Sequence, residues 1–289
     1  MSQIQSQAMT GFVPKGVPVV ATKLGGEVAI SNLLLLALGL FFVLPLVWLV
    51  VASVDSGATQ QLQWPHFTIA NYIEATSPSK ADALLNSLIL SCIATAVSTV
   101  PAIFAAYAFS RRTIPAKNPI LMSILFLSGV PISILIVPVY QLFQLSDFLS
   151  LAPAAVFLGV TALPFEIYII KNAIDAVPLD LEEAARLERV STWRIILKII
   201  VPLSMPGIVA AAVYGFINAW GSFLVPLVLI ASSDQQPAPI AIFSFVSADV
   251  IRYGDIAAYS LVYSVPVIVL YLLVSRVFRG GFSMSGAVK

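Results

Sequence analysis

The chain has 289 residues, of which 59% are hydrophobic and only 10% are charged, and its formal net charge is +1. Soluble domains carry roughly 25% charged residues, so this composition indicates an integral membrane protein and excludes an ordinary soluble domain. The net charge says nothing about nucleic acid, and the sequence has no basic patch with interleaved aromatic residues that would suggest a nucleic-acid-binding protein.

Six apolar runs are long enough to cross a bilayer, for which about 20 residues are needed. They lie at 30–54, 86–109, 119–145, 152–170, 203–231 and 257–275. Because the runs are continuous rather than alternating in polarity, they predict an all-α membrane protein with six spanning helices. Residues 1–29 and 276–289 are the predicted tails, and 30–275 is the predicted membrane domain. Prolines within the runs, such as Pro131, predict kinks.

Lysine and arginine are distributed unevenly over the segments between these runs. Of the 15 such residues, only Lys80 and Arg252 fall on one side of the predicted membrane domain, and the others lie in the tails and after the second and fourth runs. The positive-inside rule therefore predicts that both termini and the connection at 171–202 are cytoplasmic.

Polar groups inside the apolar runs are candidates for a solute pathway, because a bilayer leaves them without water. Glu166 is the one acidic residue within a run, and it either accepts hydrogen bonds from a solute or pairs with a neighbouring span. Tyr214, Asn218 and Ser222 recur every four residues and so share one helix face. They either line a pathway or form hydrogen bonds between helices. Tyr140 is a further candidate, for which packing in the bundle is the alternative.

The segment 180–207 contains four acidic and four basic residues between two apolar runs. Asp180 and Glu183 have the spacing of a capping box, which predicts a helix that begins near residue 180. Glu182 and Arg186 are predicted to pair four residues apart on an exposed charged face. The opposite face is predicted to consist of the small or apolar side chains, which are Leu181, Ala184 and Ala185.

A second short helix is predicted to begin after Ser191. Its apolar side is predicted to consist of Trp193, Ile196, Leu197 and Ile200. Two interpretations of the whole segment fit these patterns. It is either an amphipathic hairpin that rests on the membrane surface or a docking element for a cytoplasmic protein.

The string "EEAARLERVSTWRIILKIIVP" resembles the cytoplasmic signature of the permease subunits of binding-protein-dependent ABC importers. That signature runs Glu-Ala-Ala, three residues, Gly, nine residues, Ile, one residue, Leu-Pro. Arg189 replaces the signature glycine and Val201 its leucine. The first change matters more, because the glycine allows a tight turn that arginine adopts at a cost.

Other segments extend the resemblance over nearly the whole chain, and they are closest to the maltose-type carbohydrate branch of the family. They include "FTIANY" at 67–72, "AAYAFSR" at 105–111, "LPFEIYIIKNAI" at 163–174, "FINAWGSFLVPL" at 216–227 and "SGAVK" at 285–289. The resemblance implies a six-helix permease fold with a coupling helix that docks on a separate ATPase subunit. The residues it assigns to that contact are Glu182, Glu183, Ala184, Ala185, Arg186 and Arg189.

The implied function is ATP-driven import of a sugar or oligosaccharide by a multi-pass protein of a prokaryotic cell membrane. The implied partners are a second permease, an ATPase dimer, an extracytoplasmic solute-binding protein and membrane lipid. The sequence has no Gly-x-x-x-x-Gly-Lys-Ser/Thr motif, so ATP and Mg²⁺ are expected on the ATPase and no cofactor in this chain. The alternatives are an importer of sugar phosphates, amino sugars or polyamines, an ion-coupled secondary transporter, and a membrane scaffold.

Overall fold

The computed structural model describes residues 24–246 and 251–285, with side chains at 30–246 and 251–276. The predicted tails therefore lie largely outside the described residues, as does most of "SGAVK". The described chain is almost entirely helical, which confirms the predicted class. The helices are α1 (Leu24–Ser53), α2 (Ala70–Ala75), α3 (Pro78–Arg111), α4 (Lys117–Leu127), α5 (Ile132–Leu145), α6 (Leu151–Asp175), α7 (Leu179–Leu187), α8 (Thr192–Ile195), α9 (Val201–Leu203), α10 (Met205–Trp220), α11 (Leu224–Leu229), α12 (Ala238–Ala241) and α13 (Tyr253–Ser285). Short 3-10 turns lie at Ser233–Gln235 and Ile242–Phe245, and a π-helical turn lies at Ile196–Ile200.

Four of the helices are long and apolar enough to cross a membrane without interruption. They contain the segments Ile30–Ser53, Pro78–Arg111, Leu151–Asp175 and Tyr253–Arg276. Two further pairs of helices qualify only if a sharp bend is allowed within a span. These are α4 with α5, bent by 83°, and Thr192–Leu203 with α10, bent by 82°. The described chain thus has four spans, or up to six if each bent pair counts as one.

The third predicted run, 119–145, forms two separate helices instead of one kinked helix. It breaks between Leu127 and Ile132 into α4 and α5. Pro131 has no N–H to donate, and it disfavours the helical conformation at Val130, so the helix ends there instead of bending. The fifth run, 203–231, is also interrupted, since α10 ends at Trp220 and α11 begins at Leu224.

The chain divides into two compact units, Met1–Trp48 and Leu49–Lys289. In the first unit, the described side chains from Ile30 to Val47 are all exposed. A helix that is apolar all round needs an apolar environment, which a bilayer supplies. The residues predicted to be functional all lie in the second unit.

The centre of the second unit is a bundle of α3, α6 and α10. Gly159 shows how closely α6 approaches α3, because a Cβ added there would lie 2.6 Å from the backbone oxygen of Ala94. Small residues let helix backbones approach in this way within membranes. A buried cluster rich in isoleucine joins this bundle to the π-helical turn; its members include Ile170, Ile174, Ile196, Ile200 and Ile208.

The two ends of α3 contact different parts of the chain. α3 has 34 residues, and at about 1.5 Å per residue it is roughly 50 Å long. At its first turn, Lys80 lies 4.7 Å from the centre of the Phe245 ring, and the Arg252 guanidinium lies 5.1 Å from the same centre. At its last turn, Arg111 contacts α7. The α7 end is where the charged segment of the sequence lies.

Candidate functional site

The segment predicted to be a charged hairpin consists of α7 followed by Thr192–Leu203, and we call it the charged hairpin. Both predicted helix starts are confirmed, at Leu179 and at Thr192. The predicted capping box is wrong, because the N-cap of α7 is Pro178 and no side-chain cap hydrogen bond forms. Proline fixes its own φ and therefore starts the helix without a capping side chain.

Glu182 is buried, with 1% of its surface exposed. Its carboxylate accepts hydrogen bonds from the Arg111 Nε at 2.5 Å and the Tyr107 hydroxyl at 3.1 Å. The Nη2 of Arg186 lies 3.5 Å from the same carboxylate, so the predicted pair of Glu182 and Arg186 exists. It is longer than the pair of Glu182 and Arg111. The predicted exposed position of Glu182 is therefore wrong, and the charge and hydrogen bonds of the buried Arg111 offset the cost of removing this carboxylate from water.

Arg111 connects three helices through one side chain. Besides Glu182 on α7, it donates from its Nη2 to the backbone oxygens of Ile174 at 2.9 Å and Val177 at 2.6 Å. These oxygens belong to the last turn of α6 and the connection after it, where backbone acceptors lack helical partners. Sequence reasoning missed Arg111 and Tyr107, although both lie in "AAYAFSR", one of the segments that resembles the permease family.

The outer face of α7 contains most of the residues predicted to contact an ATPase. Glu183, Ala184, Arg186 and Arg189 are exposed, and Ala185 is half-buried. Leu181 and Leu187 are exposed as well, with Leu187 at 85%. Leu181 and Ala184, predicted to lie opposite the charged side chains, are thus exposed as well. Side chains of both charges surround two leucines on this face, a mixture that suits a protein partner better than lipid.

The turn after α7 adopts the conformation that glycine favours, although it contains arginine. Arg189 has φ of 56°. The N–H of Val190 bonds to the oxygen of Ala185, and the N–H of Arg189 bonds to that of Arg186. This pair of bonds defines a Schellman motif with Arg189 at the left-handed position. The substitution of the signature glycine thus leaves the turn intact, at the steric cost of a left-handed side chain.

The second half of the charged hairpin packs into the core through Ile195, Ile196 and Ile200, which are buried. Trp193 and Leu197, predicted to share the apolar side with Ile196 and Ile200, are exposed. A π-helical turn follows Trp193 at Ile196–Ile200. Trp193 packs edge to face on Phe104 of α3, with ring centres 5.0 Å apart.

A cavity of about 460 Å³ lies between the break of α4 and α5 and the helices α6 and α10. Its polar side chains are Ser128, Thr161, Tyr214 and Asn218, and the rest of its lining is apolar. The Asn218 amide lies 3.5 Å from the Tyr214 hydroxyl. Among the lining residues there is no lysine, arginine, aspartate or glutamate. The cavity therefore offers uncharged hydrogen-bonding groups in an apolar wall. It lies at the break where α4 ends and α5 begins.

Glu166 does not line this cavity. It is fully buried and accepts hydrogen bonds from the hydroxyls of Ser98 and Thr99, each at 2.7 Å. Gly215 of α10 leaves room for the Glu166 carboxylate, because a Cβ added at Gly215 would overlap it. Ser222 and Tyr140 are half-buried and also lie outside the cavity lining. Of the predicted pathway residues, the structure brings together Tyr214 and Asn218, and it adds Thr161.

These features define a polytopic helical membrane protein with bent spans and a charged hairpin attached to its core. The model of the family described as "Binding-protein-dependent transport system inner membrane component" matches residues 98–280, which is more than half of the chain. The chain belongs to this family, and it is a multi-pass membrane protein.

Individual relatives give the same result. The chain is 33% identical over 212 residues to the trehalose transport system permease protein SugB of Mycobacterium tuberculosis, with 72% of this chain and 77% of that protein covered. It is 28% identical over 266 residues to the galactooligosaccharides transport system permease protein GanQ of Bacillus subtilis, with 89% and 94% covered. A chain of a bacterial ABC transporter involved in the import of the acidic polysaccharide alginate has the same fold, with a TM-score of 0.73 at 17% identity over 88% of this chain and 98% of that one.

Proposed function

We propose that this chain is the transmembrane permease subunit of an ATP-driven ABC importer that moves a sugar or oligosaccharide into the cytoplasm. The observation on which this rests is the family match together with the charged hairpin, whose outer face is exposed while its inner face is fixed to the core. Relatives named for the transport of trehalose and galactooligosaccharides support a sugar as the solute.

The cavity supports an uncharged solute. An aromatic ring can stack on the apolar face of a sugar, and the Asn218 amide can both donate to and accept from its hydroxyls. We assign this role to Tyr214, Asn218 and Thr161. Sugar phosphates and polyamines would favour a charged partner, which the cavity lining lacks. Amino sugars are disfavoured for the same reason, since their ammonium group would require an acidic contact.

The outer face of α7 is proposed to dock on a separate ATPase subunit, which binds ATP and Mg²⁺. The contact residues are Glu183, Ala184, Arg186 and Arg189, with Leu187 as an apolar contact in their midst. The complete importer would contain a second permease, two ATPase subunits and an extracytoplasmic binding protein. In this arrangement both termini and the charged hairpin face the cytoplasm.

The test is uptake of a labelled oligosaccharide into proteoliposomes that contain the full complex, with ATP inside or outside. The wild type is expected to import only when ATP is on the ATPase side. Asn218→Ala removes one hydrogen-bonding group from the cavity and is expected to lower uptake about tenfold. Ile217→Ala, an adjacent exposed position that does not line the cavity, is the control. Uptake by Asn218→Ala at the wild-type rate would remove the cavity from the pathway.

Glu166 is the observation that favours a second candidate, an ion-coupled secondary transporter, because a buried carboxylate within a span can exchange a proton. Such a transporter would accumulate solute without the ATPase and would lose this activity when a protonophore collapses the ion gradient. An ABC importer supplied with ATP would continue in the presence of the protonophore. The same proteoliposomes therefore distinguish the two candidates.

A further inference from the structure

The contacts of Arg111 go beyond what is needed to neutralise a buried carboxylate. One guanidinium reaches Glu182 on α7 and the backbone oxygens of Ile174 and Val177 at the end of α6. Its own backbone belongs to the last residue of α3. Tyr107, one turn earlier on α3, adds a hydrogen bond to the same carboxylate. We call Arg111, Tyr107 and Glu182 the clamp.

α7 depends on such contacts for its position. It has nine residues, and isolated helices shorter than about 12 residues are marginal in water. Most of its side chains are exposed, and Glu182 is its one fully buried residue among those described. The clamp is thus the main polar connection between α7 and the helices of the core.

The chemistry of the clamp is directional. A guanidinium presents a planar set of donors that can bind a carboxylate and backbone oxygens at the same time, whereas an ammonium is a point charge on a flexible stem. Both charged partners are nearly free of solvent, with 5% and 1% of their side-chain surfaces exposed. Water therefore competes weakly for these hydrogen bonds.

We propose that Arg111 is a positioning residue for energy coupling, which fixes α7 to the ends of α3 and α6 so that the three helices move as one body. This inference rests on the proposed function, since it names what transmits the movement of the ATPase into the membrane domain. Without the clamp, α7 would pivot on its connections, and ATP hydrolysis would proceed without moving the spans.

The first experiment uses Arg111→Lys in the full complex, with Arg112→Lys as the matched control at the next, exposed position. We measure three quantities in proteoliposomes: recovery of the assembled complex, ATP hydrolysis, and solute imported per ATP hydrolysed. Arg111→Lys is expected to assemble and to hydrolyse ATP, but to import about tenfold less solute per ATP. Tyr107→Phe is expected to change this ratio in the same direction by a smaller factor, and Arg112→Lys is expected to match the wild type.

An unchanged ratio of import to hydrolysis in assembled Arg111→Lys would overturn the inference while leaving the proposed function in place. A wild-type complex that shows no ATP-driven uptake would overturn the proposed function, and the inference with it. The ratio is informative because a residue needed only for folding would lower the amount of complex and not the yield per ATP.

A second measurement is independent of whether Arg111→Lys assembles. Spin labels are placed at Asp180 on α7, outside the proposed ATPase contact, and at Ala96 on α3, both exposed, in a Cys92→Ser background. The distance between them is expected to stay constant, within about 5 Å or one helical turn, between the nucleotide-free complex and the complex trapped with ATP and vanadate. A larger change in the wild type would show that α7 moves relative to α3, and it would overturn the inference.

Discussion

Two glutamates, Glu166 and Glu182, are both buried at the interfaces of α3, but their surroundings differ. Glu166, in the middle of the three-helix bundle, accepts hydrogen bonds from two neutral hydroxyls. Glu182, at the α7 end, pairs with a guanidinium and a phenol. Hydroxyls suffice where helices pack side by side and need no fixed orientation. A charge-assisted network occurs where a short helix must be held at one angle.

The largest expected effect comes from neutralising Glu182, and the same change at Glu166 is the comparison. Glu182→Gln leaves the buried Arg111 without its counter-charge and should destabilise the folded chain by about 3–5 kcal/mol. Glu166→Gln keeps an oxygen that accepts from Ser98 or Thr99 and should cost less than about 1 kcal/mol. Unfolding in detergent micelles, followed by helix content, measures both values. Equal losses for the two variants would contradict the distinction between the two regions.

The next effect tests how tightly the region around Glu166 is packed. Gly215→Ala places a methyl group against the Glu166 carboxylate and 3.2 Å from the Ser98 hydroxyl. Overpacking of this kind costs about 1–3 kcal/mol. Gly221→Ala is the control, because a Cβ there would lie 3.4 Å from its nearest neighbour, the backbone oxygen of Ile217. The same unfolding assay should separate the two variants, and equal stability would mean that Glu166 has room to move.

A smaller effect with the opposite sign is expected at the end of α7. Arg189→Gly removes the steric cost of a left-handed side chain and should stabilise the chain by up to about 1 kcal/mol. Glu188→Gly is the control, because Glu188 has φ of −75° and gains nothing from glycine. We expect the control to leave the stability of the folded chain unchanged or to lower it in the same unfolding assay. A loss of stability in Arg189→Gly would show that the arginine side chain has a compensating contact.

The smallest effect concerns a third carboxylate, which lies outside the spans. The side-chain amide of Gln63 and the backbone N–H of Gly57 donate to Asp55 and hold the pKa of this carboxyl below its ordinary value of 3.8. Its contribution to stability is therefore fully present above that value and is lost as the pH falls through the lowered pKa. The amides of Gly57 and His66, which donate to this carboxylate, should lose protection from hydrogen exchange, relative to the intrinsic rate at each pH, in this acidic range. Asp55→Asn should remove the pH dependence, and its persistence would assign the effect to another group.

The sequence predicted the features that depend on short-range pattern. Apolar length identified the four uninterrupted spans, and Pro178 and Ser191 marked the two helices of the charged hairpin within a residue or two. The clamp could not be predicted from periodicity, because Arg111 and Glu182 are 71 residues apart and their pairing depends on how α3 packs against α6. Glu182 therefore looked like one member of an exposed charged face.

The break between α4 and α5 was only partly predictable. Pro131 predicted a kink, but composition does not give the angle, which depends on what fills the bend. Tyr214 and Asn218 were found by their four-residue spacing, since both lie on one face of α10. Thr161 was missed, because one threonine in an apolar run usually bonds to its own helix, and Thr161 does donate to the Leu158 backbone oxygen.

The π-helical turn at Ile196–Ile200 lies between Trp193 and α10. A π-turn closes its hydrogen bond over five residues where an α-turn closes it over four, so it absorbs one surplus residue and leaves the flanking faces nearly in phase. Deleting a single isoleucine would therefore let ordinary winding resume and would leave the indole against Phe104. The wide turn thus lets this stretch contain one extra residue without rotating the charged hairpin.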